Sequence, residues 1–321
     1  MRKIFAKQVQ EFSKLWGGFR ASRVVLTANN YRIFDHLKTP KNAGDIARVI
    51  SADPRAVEVL LDAVTSLGLL KKTGNKYRNT ELAGKFLVKD SPLYQGDMLR
   101  HADSLWKSWS GLNEVVKTGL PNSSGDRDYS TFIRAMHNNA VIRAKGVISA
   151  MDLKGVRRAL DLGGGPGTYS MELARKKIDV TLFDRPEAIA VAKELVSEQK
   201  IDNIHFVAGD FHADDIGGGF DLVFISQIVH SLSIDEALAL IEKARDALGP
   251  KGRIVIHEFL LEKDRAHPVP AALFSVNMLV NTAAGRSYTI QEMRGWLAKA
   301  GFKAVRTTTL GETVVVTGKK A

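Results

Sequence analysis

Cysteine is absent from this chain of 321 residues. Its absence excludes disulfide bonds, thiolate catalysis and cysteine-ligated metal sites. Long hydrophobic runs are also missing, since stretches such as residues 222–225 are far too short to span a bilayer. The first residues are basic but lack an apolar signal segment. With a hydrophobic content of 45% and a charged content of 25%, the sequence predicts a globular cytoplasmic protein.

Acidic residues are outnumbered, and the formal net charge is +11 at pH 7. Such an excess of Lys and Arg is compatible with binding to nucleic acid or to an anionic surface. The basic residues are scattered, however, in pairs such as Lys71-Lys72, and no block of five or six like charges occurs. Scattered charge favours solubility over a groove that follows phosphates. We therefore expect neither a nucleic-acid nor a membrane partner.

A glycine-rich turn organises the second half of the chain. The apolar run 158–162 contains Asp161, four glycines lie within residues 163–167, and a helical pattern follows. Strand, tight turn and helix together present free backbone N–H groups at a helix start. The spacing G-x-G-x-G differs from the dinucleotide fingerprint. A carboxylate two residues before the first glycine would repel a pyrophosphate, but it suits a ligand that carries an ammonium or sulfonium group.

The N-terminal region, residues 1–105, predicts helices and a small β-wing. Apolar residues at helical spacing over 5–37 need a cover, either from their own domain or from a second subunit. Residues 43–88 have the pattern of a winged helix-turn-helix, with a helix over 55–67 whose Val59, Leu60, Ala63, Val64 and Leu67 are expected to point inward. That helix carries few groove-reading side chains, so a scaffold role is favoured over DNA binding.

Residues 106–152 are expected to form a helical linker that covers the cofactor and the substrate. A polar, turn-rich loop over 120–128 precedes a helix that starts at Phe132 and contains Met136 and the polar cluster 137–139. In residues 153–321, short apolar runs alternate with helical segments, with strands expected at 158–162, 180–183, 204–208, 222–225, 253–257, 304–307 and 313–316. This alternation predicts a doubly wound, mostly parallel sheet, whose ligands bind at the carboxyl ends of the strands.

The stretch from Asp161 to Gly167 resembles the first motif of class I S-adenosylmethionine-dependent methyltransferases. The whole chain resembles one branch, the plant-type and bacterial O-methyltransferases. The resemblance implies an α/β fold in which a Rossmann-like methyltransferase domain follows an all-helical winged-helix dimerisation domain. It also implies S-adenosylmethionine as cofactor and a homodimer with intertwined N-terminal helices.

The resemblance also assigns cofactor residues at successive strand ends. Asp184 follows the glycine turn by about twenty positions and is suited to accept hydrogen bonds from the ribose hydroxyls. In the family, the acid at the position of Asp210 bonds the adenine amino group, and Phe211 offers an aromatic face. The family often has a basic residue at or beside Ser226 and Gln227; here Gln227 would give a neutral hydrogen bond. The expected cofactor-binding residues are Asp161, Gly163, Gly165, Asp184, Asp210, Phe211 and Gln227.

His230 occupies the family's position for the catalytic base, and Glu258 that of its acidic partner. An imidazole can accept a phenol proton while the methyl group is attacked, and a carboxylate can orient it. Ser231 and Ser287 stand where the family commonly has an acid. An acceptor wall is expected from Phe132, Met136, Phe274, Asn277 and Met278, with Asn281 on the same helix face. No residue spacing is typical of a metal site.

The sequence thus predicts an S-adenosylmethionine-dependent O-methyltransferase that acts on an aromatic or quinone-like small molecule. Three alternatives remain open at this point. One is methylation of carbon or nitrogen on the same fold. Another is a winged-helix DNA-binding regulator that uses the cofactor as a ligand. The third is a cofactor-binding protein that has lost methyl transfer.

Overall fold

A computed structural model describes residues 2–122 and 128–321, with side chains from Ile4 onward. The chain forms two compact units, which divide between Asp103 and Ser104. Most of the predicted polar loop 120–128 lies outside the described residues. None of the helices in the described part is both long and apolar enough to cross a membrane.

The first unit is mainly helical and contains a small sheet. Its elements are α1 (Arg2–Asn30), α2 (Ile33–His36), β1 (Lys41–Asn42), α3 (Ala43–Ile50), α4 (Pro54–Ser66), β2 (Leu70–Thr73), β3 (Lys76–Asn79) and α5 (Glu81–Phe86). The predicted wing is β2 and β3, and β1 joins it in an antiparallel sheet of order β1-β3-β2. The domain is thus mainly helical with the predicted small wing. The additional strand β1 is too short to leave a pattern in the sequence.

The buried face of α4 differs from the predicted one. Asp53 caps the helix by accepting a 2.8 Å hydrogen bond from the Ala56 N–H, and Pro54 opens the first turn. The side chains buried in the core are Val57, Leu61 and Val64. Val59 and Leu67, expected to point inward, are 61% and 40% exposed. The apolar residues of α4 cover more than half its circumference, so periodicity alone did not fix which face meets the core.

Replacing Leu61 by Ala tests this orientation, because Leu61 is fully buried. We expect the free energy of unfolding of the unit to fall by about 2–5 kcal/mol, the usual cost of a Leu-to-Ala change in a core. Val59→Ala, on the exposed face, is the matched control and is expected to change it by less than about 0.5 kcal/mol. Urea titrations followed by circular dichroism measure both. Equal losses in the two variants would contradict the observed face.

The second unit continues from α6 and carries the large sheet. Its helices are α6 (Gly96–Ser110), which starts before the division, α7 (Leu112–Thr118), α8 (Tyr129–Val141), α9 (Ala144–Ser149), α10 (Thr168–Ala174), α11 (Pro186–Glu198), α12 (Ile234–Ala247), α13 (Val269–Asn281) and α14 (Ile290–Lys299). Its strands are β4 (Arg158–Leu162), β5 (Asp179–Asp184), β6 (Ile204–Ala208), β7 (Phe220–Ser226), β8 (Leu248–Phe259), β9 (Phe302–Leu310) and β10 (Thr313–Lys320). The predicted doubly wound sheet is confirmed.

The sheet has the order β6-β5-β4-β7-β8-β10-β9. The first five strands of this order pair in parallel, and β10 runs antiparallel to both β8 and β9. Because β5 lies on one side of β4 and β7 on the other, the strand order reverses at β4. Ligands of open α/β sheets bind in the crevice at such a reversal, at the carboxyl ends of the strands.

Two hydrophobic layers cover the sheet, one on each face. One layer packs α12 and α14 against residues such as Leu160, Ile225 and Ile256. The other packs α9, α10 and part of α11 against the alternate positions, such as Ala159 and Phe224. Residues of the expected linker 106–152 lie within this second layer, so the end of that segment is part of the core of the methyltransferase unit.

Candidate active site

The turn between β4 and α10 is built from glycines because the backbone needs them. Gly163, Gly165 and Gly167 have φ angles of 71°, 53° and 73°, which side chains with a Cβ adopt at a cost. A Cβ on Gly163 would lie 2.6 Å from the Ile228 side chain. A Cβ on Gly165, in contrast, would meet no atom within 4 Å. The turn is therefore closely packed against protein at Gly163 and open at Gly165, where a ligand could approach the backbone.

Asp161 is buried beneath this turn. The Ser170 hydroxyl donates a 2.6 Å hydrogen bond to its Oδ2, while its Oδ1 is buried without a partner among the described residues. Burial raises the pKa of Asp161 to about 7, and the Ser170 hydrogen bond opposes this only in part. An unpartnered carboxylate oxygen that holds a proton so readily is suited to receive a cationic group, such as an ammonium.

The raised pKa of Asp161 makes the stability of the ligand-free protein depend on pH. The carboxyl ordinarily titrates near 3.8 but titrates near 7 in the fold, so the folded chain keeps a proton that the unfolded chain loses. Its stabilising contribution is therefore complete below about pH 4 and is lost as the pH rises through about 7. Relative to wild type, we expect Asp161→Asn to gain about 2–3 kcal/mol of unfolding free energy from about pH 5 to about pH 8.

Chemical unfolding at both pH values measures how the stability difference between Asp161→Asn and wild type changes with pH. Any cost of burying the amide is the same at both pH values and cancels in this comparison. Asp202→Asn is the control, since Asp202 is exposed. If the difference in unfolding free energy between Asp161→Asn and wild type were the same at the two pH values, the Asp161 carboxyl of the folded protein would be ionised at both.

The next two strand ends bring further acidic groups to the same edge. The Gly165 N–H donates a 2.7 Å hydrogen bond to Asp184 Oδ2, so the turn and the end of β5 are tied together. Asp210 follows β6 and accepts from the His212 N–H at 2.9 Å. The Phe211 ring lies 3.9 Å from a Cβ built on Gly163. The glycine turn, the Phe211 ring and the carboxylates of Asp184 and Asp210 therefore lie at the same edge of the sheet.

Gln227 and His257 form the side of the site at the ends of β7 and β8. Gln227 has a φ of 58°, and its Nε2 is buried without a partner among the described residues. Ser226 Oγ lies 2.8 Å from His257 Nδ1. Burial lowers the pKa of His257 to about 4, so this histidine is neutral. It packs edge-on to Tyr169, with ring centroids 5.6 Å apart.

His230 and Glu258 form an ion pair or hydrogen bond at the next position along the edge. His230 lies in a short 3-10 turn, Val229–Ser231, and its Nδ1 is 2.7 Å from Glu258 Oε2. The other carboxylate oxygen, Oε1, accepts from the His230 backbone N–H at 3.4 Å. Because Nδ1 donates to the carboxylate, Nε2 is left with its lone pair. A Cβ on Gly285 would lie 2.5 Å from the His230 carbonyl oxygen, so this turn tolerates only glycine beside it.

Aromatic rings surround the His230 side chain. Phe274 packs edge-on against it, with centroids 4.8 Å apart, and Phe259 packs on Phe274 at 4.3 Å. One turn along α13, the Oδ1 of Asn277 accepts hydrogen bonds from Trp109 Nε1 at 2.9 Å and from Asn281 Nδ2 at 3.0 Å. With its oxygen so engaged, the Asn277 amide can offer its NH2 group. Met278, on the same helix, is buried.

Phe132 and Met136, the two acceptor-wall residues expected on α8, stay predictions as contacts to the acceptor. Phe132 packs with Tyr129 against Ala188, Val191 and Leu195 of α11, so it helps to fix α8 over the sheet. His137 Nδ1 lies 2.8 Å from the hydroxyl of Thr168, at the start of α10, and this contact places α8 beside the glycine turn. Met136 is half-buried, and its role toward the acceptor stays a prediction.

Sequence reasoning missed several residues that shape the site. Ser170 holds Asp161 and Trp109 orients Asn277, in both cases through contacts that sequence periodicity does not encode. Ser287 uses its hydroxyl to donate to the Ala271 carbonyl at 2.9 Å, so it anchors α13 and gives no second partner to His230.

Among the described residues, the exposed side chains of Glu262, Asp264 and His267 come close enough to hold a metal ion, but a 2.7 Å contact between His267 and Asp264 accounts for that grouping.

Known families match both halves of the chain. The O-methyltransferase domain matches residues 101–303, and the O-methyltransferase dimerisation domain matches residues 13–89. The chain belongs to the O-methyltransferase family. Its cofactor is S-adenosylmethionine, and the open glycine turn, the orphaned Asp161 Oδ1 and the orphaned Gln227 Nε2 fit that molecule.

Individual relatives agree with this assignment. A 3-hydroxy-5-methyl-1-naphthoate 3-O-methyltransferase from Streptomyces sahachiroi is 34% identical over 87% of this chain and 86% of its own. Acetylserotonin O-methyltransferase from Macaca mulatta is 31% identical over 89% and 90%. The crystal structure of human N-acetylserotonin methyltransferase with its cofactor has a TM-score of 0.89 and 27% identity, and covers 98% of each chain. The chain is thus an S-adenosylmethionine-dependent O-methyltransferase, and the family decides against the carbon, nitrogen and regulator alternatives.

Proposed function

We propose that this O-methyltransferase methylates a hydroxyl of an aromatic or quinone-like small molecule, with His230 as general base and Glu258 as the residue that positions it. The observation that carries the proposal is the 2.7 Å contact between His230 Nδ1 and Glu258 Oε2 at the sheet's carboxyl edge, inside a wall of aromatic rings. S-adenosylmethionine, when bound, supplies an electrophilic methyl group. Every other part of the reaction is assigned below to side chains of the chain itself.

His230 is placed to move one proton. Its Nε2 is placed to accept the proton that the acceptor hydroxyl would lose while the methyl group passes from sulfur to the acceptor oxygen and S-adenosylhomocysteine is left. The ring would then be an imidazolium. The Glu258 carboxylate, 4% exposed at its side chain, stabilises that positive charge and keeps the ring in the correct orientation. Phe259 and Phe274 exclude water from this proton transfer, which strengthens the electrostatic contact between the pair.

The wall of the pocket supports a flat acceptor with a second polar group. Phe274 and Met278 offer apolar surface suited to an aromatic ring. Asn277 is fixed by two donors to its oxygen, so its NH2 group is free to donate to a carbonyl, carboxylate or quinone oxygen. The two relatives named above act, by their names, on a hydroxynaphthoate and on acetylserotonin, which are aromatic hydroxyl compounds with a carboxylate or an amide carbonyl.

The proposed function is tested by methyl transfer from labelled cofactor to a panel of phenols, naphthols and hydroquinones, with and without a carbonyl or carboxylate group. With the best acceptor, we expect His230→Ala to lower kcat by about 10²- to 10⁴-fold, the usual worth of a general base. Glu258→Gln should lower kcat in the same direction but by less, since the ring keeps a neutral partner. Calorimetry should show that both variants bind S-adenosylhomocysteine as tightly as wild type.

His205→Ala, which removes an exposed histidine whose partner is Asp179, is the matched control and should leave kcat within about twofold. Transfer by His230→Ala at the wild-type rate would refute the base role. A wild-type enzyme that binds the cofactor but methylates no compound of the panel would refute the acceptor class.

We also propose that the chain is a homodimer joined through α1. The helix presents Phe12, Leu15, Trp16 and Phe19 at 54–81% exposure within its own unit. Such a row of large apolar side chains marks an interaction surface, and the matched dimerisation domain spans these residues from Ser13 onward. A second copy of the chain is therefore the expected cover. The cytoplasmic location inferred from the sequence stays a prediction.

Light scattering coupled to size exclusion tests the dimer. Wild type should have twice the mass of one chain, and the double change Phe12→Glu with Trp16→Glu should give the single-chain mass, because two buried carboxylates would oppose association. The double change Gln8→Glu with Gln10→Glu adds the same two charges at exposed polar positions of α1 and should remain dimeric. A double variant that stayed dimeric would place the interface elsewhere.

A further inference from the structure

The amino-acid end of S-adenosylmethionine carries both an ammonium and a carboxylate. The site has a place for the cation, since Asp161 Oδ1 is buried and unpartnered. The end of β7 supplies no cation for the anion, because its residues there are Ser226 and Gln227. A carboxylate removed from water is costly unless a charged group pairs with it. A cation from another element is therefore needed.

Arg143 lies at the bend between α8 and α9. Its guanidinium donates one 2.9 Å hydrogen bond to Asn139 Oδ1, one turn earlier. The side chain is half-buried, and in the described part of the chain no carboxylate lies within ion-pair distance of it. A guanidinium has five N–H donors in a fork that matches a carboxylate, so most of its hydrogen-bonding capacity is unused.

The neighbours of Arg143 place it at the same end of the site as Asp161. Ala140, Ala144 and Val147, on either side of it in sequence, pack in the same hydrophobic cluster as Tyr169. Tyr169 in turn packs edge-on to His257. The pKa of Tyr169 is raised to about 12 by burial, and the Arg143 charge opposes this. The pKa of His257 is lowered to about 4, mainly by burial and in smaller part by the Arg143 charge.

Tyr169 lies between the segments that carry the two charged groups. Ser170, the next residue, donates a hydrogen bond to Asp161, and the helix that follows Arg143 packs with Tyr169 in one hydrophobic cluster. Asp161 and Arg143 also act on the pKa of the Tyr169 hydroxyl with opposite sign, so a zwitterion bound beside this ring would meet both charges. Gln227 Nε2, buried and unpartnered, adds a neutral donor.

We propose that the guanidinium of Arg143 binds the α-carboxylate of the cofactor's methionyl end, supplying from the bend between α8 and α9 the positive charge that the end of β7 lacks. The inference rests on the cofactor site of the proposed function and assigns it a residue that the sequence motifs do not indicate. It makes Arg143 a determinant of cofactor affinity rather than of proton transfer.

The test compares three nucleosides by calorimetry on the full chain. S-adenosylhomocysteine has both the ammonium and the carboxylate, its decarboxylated analogue 5′-deoxy-5′-(3-aminopropylthio)adenosine has only the ammonium, and 5′-methylthioadenosine has neither. We expect Arg143→Gln to weaken S-adenosylhomocysteine binding by roughly ten- to a hundredfold, the usual worth of a charge-assisted hydrogen bond. Binding of the other two nucleosides should stay within about twofold of wild type.

Lys145→Gln is the matched control, since it removes the same charge from an exposed position on α9 and should change none of the three affinities. Thermal unfolding of each free variant checks that it folds. Equal weakening of all three nucleosides by Arg143→Gln would overturn the inference, because the effect would then not depend on the carboxylate. Unchanged S-adenosylhomocysteine binding would overturn it as well. Failure of wild type to bind any of the three would refute the cofactor site itself, which is a different result.

Discussion

The geometry of the site depends on the close packing of the glycine turn over a buried carboxylate. A Cβ on Gly164 would lie 2.9 Å from the Asp161 carboxylate, so the backbone crosses that group with no room for a side chain. This contact removes Asp161 from water and raises its pKa. The same turn carries the Gly165 N–H to Asp184. One backbone constraint thus fixes two carboxylates, one suited to a cation and the other to hydroxyl groups.

Strand β8 separates the two polar regions of the site by its period of two. His257 points into the layer that holds Tyr169 and Phe224 and remains neutral there. Glu258, the next residue, points to the other face and meets His230. Neighbouring residues of β8 therefore serve two different polar contacts. His257 is buried against Ser226, whereas Glu258 orients the His230 ring and leaves its Nε2 available.

Much of this arrangement could be predicted from the sequence, because it is encoded locally. The strands at 158–162 and 204–208 and the helix at 43–50 have the predicted bounds, and the remaining strands of the large sheet extend the predicted ones by up to five residues at an end. The glycine turn and the pairing of His230 with Glu258 follow from residues at the ends of adjacent strands. Ladder hydrogen bonds extend strands beyond their apolar centres, which explains the shorter predicted bounds.

The parts that the sequence did not predict depend on contacts between distant segments. The elements that pack on α4 decide which of its faces is buried. Val57 is buried and Val59 is exposed, although both are valines in the same apolar stretch, so the hydrophobic pattern does not distinguish them. Trp109 reaches Asn277 across 168 positions, and Arg143 gains its setting from α10. Each of these side chains is ordinary in its local sequence. Its function arises only when the fold brings another element beside it.

In the ligand-free protein, each charged group of the site is neutralised or partnered by a nearby group. Asp161 holds a proton until the pH reaches about 7, Arg143 stays half in solvent with Asn139 as a neutral partner, and Glu258 rests against a histidine. In the proposed cofactor site, a zwitterionic ligand would exchange these arrangements for direct ones, since its ammonium would take the place of the Asp161 proton and its carboxylate would take up the free donors of Arg143. Binding at neutral pH would then be linked to the release of a proton from Asp161, a residue with no role toward the acceptor in the proposed reaction. That linkage separates the recognition of the cofactor from the proton transfer at His230, although the two events take place at neighbouring strand ends.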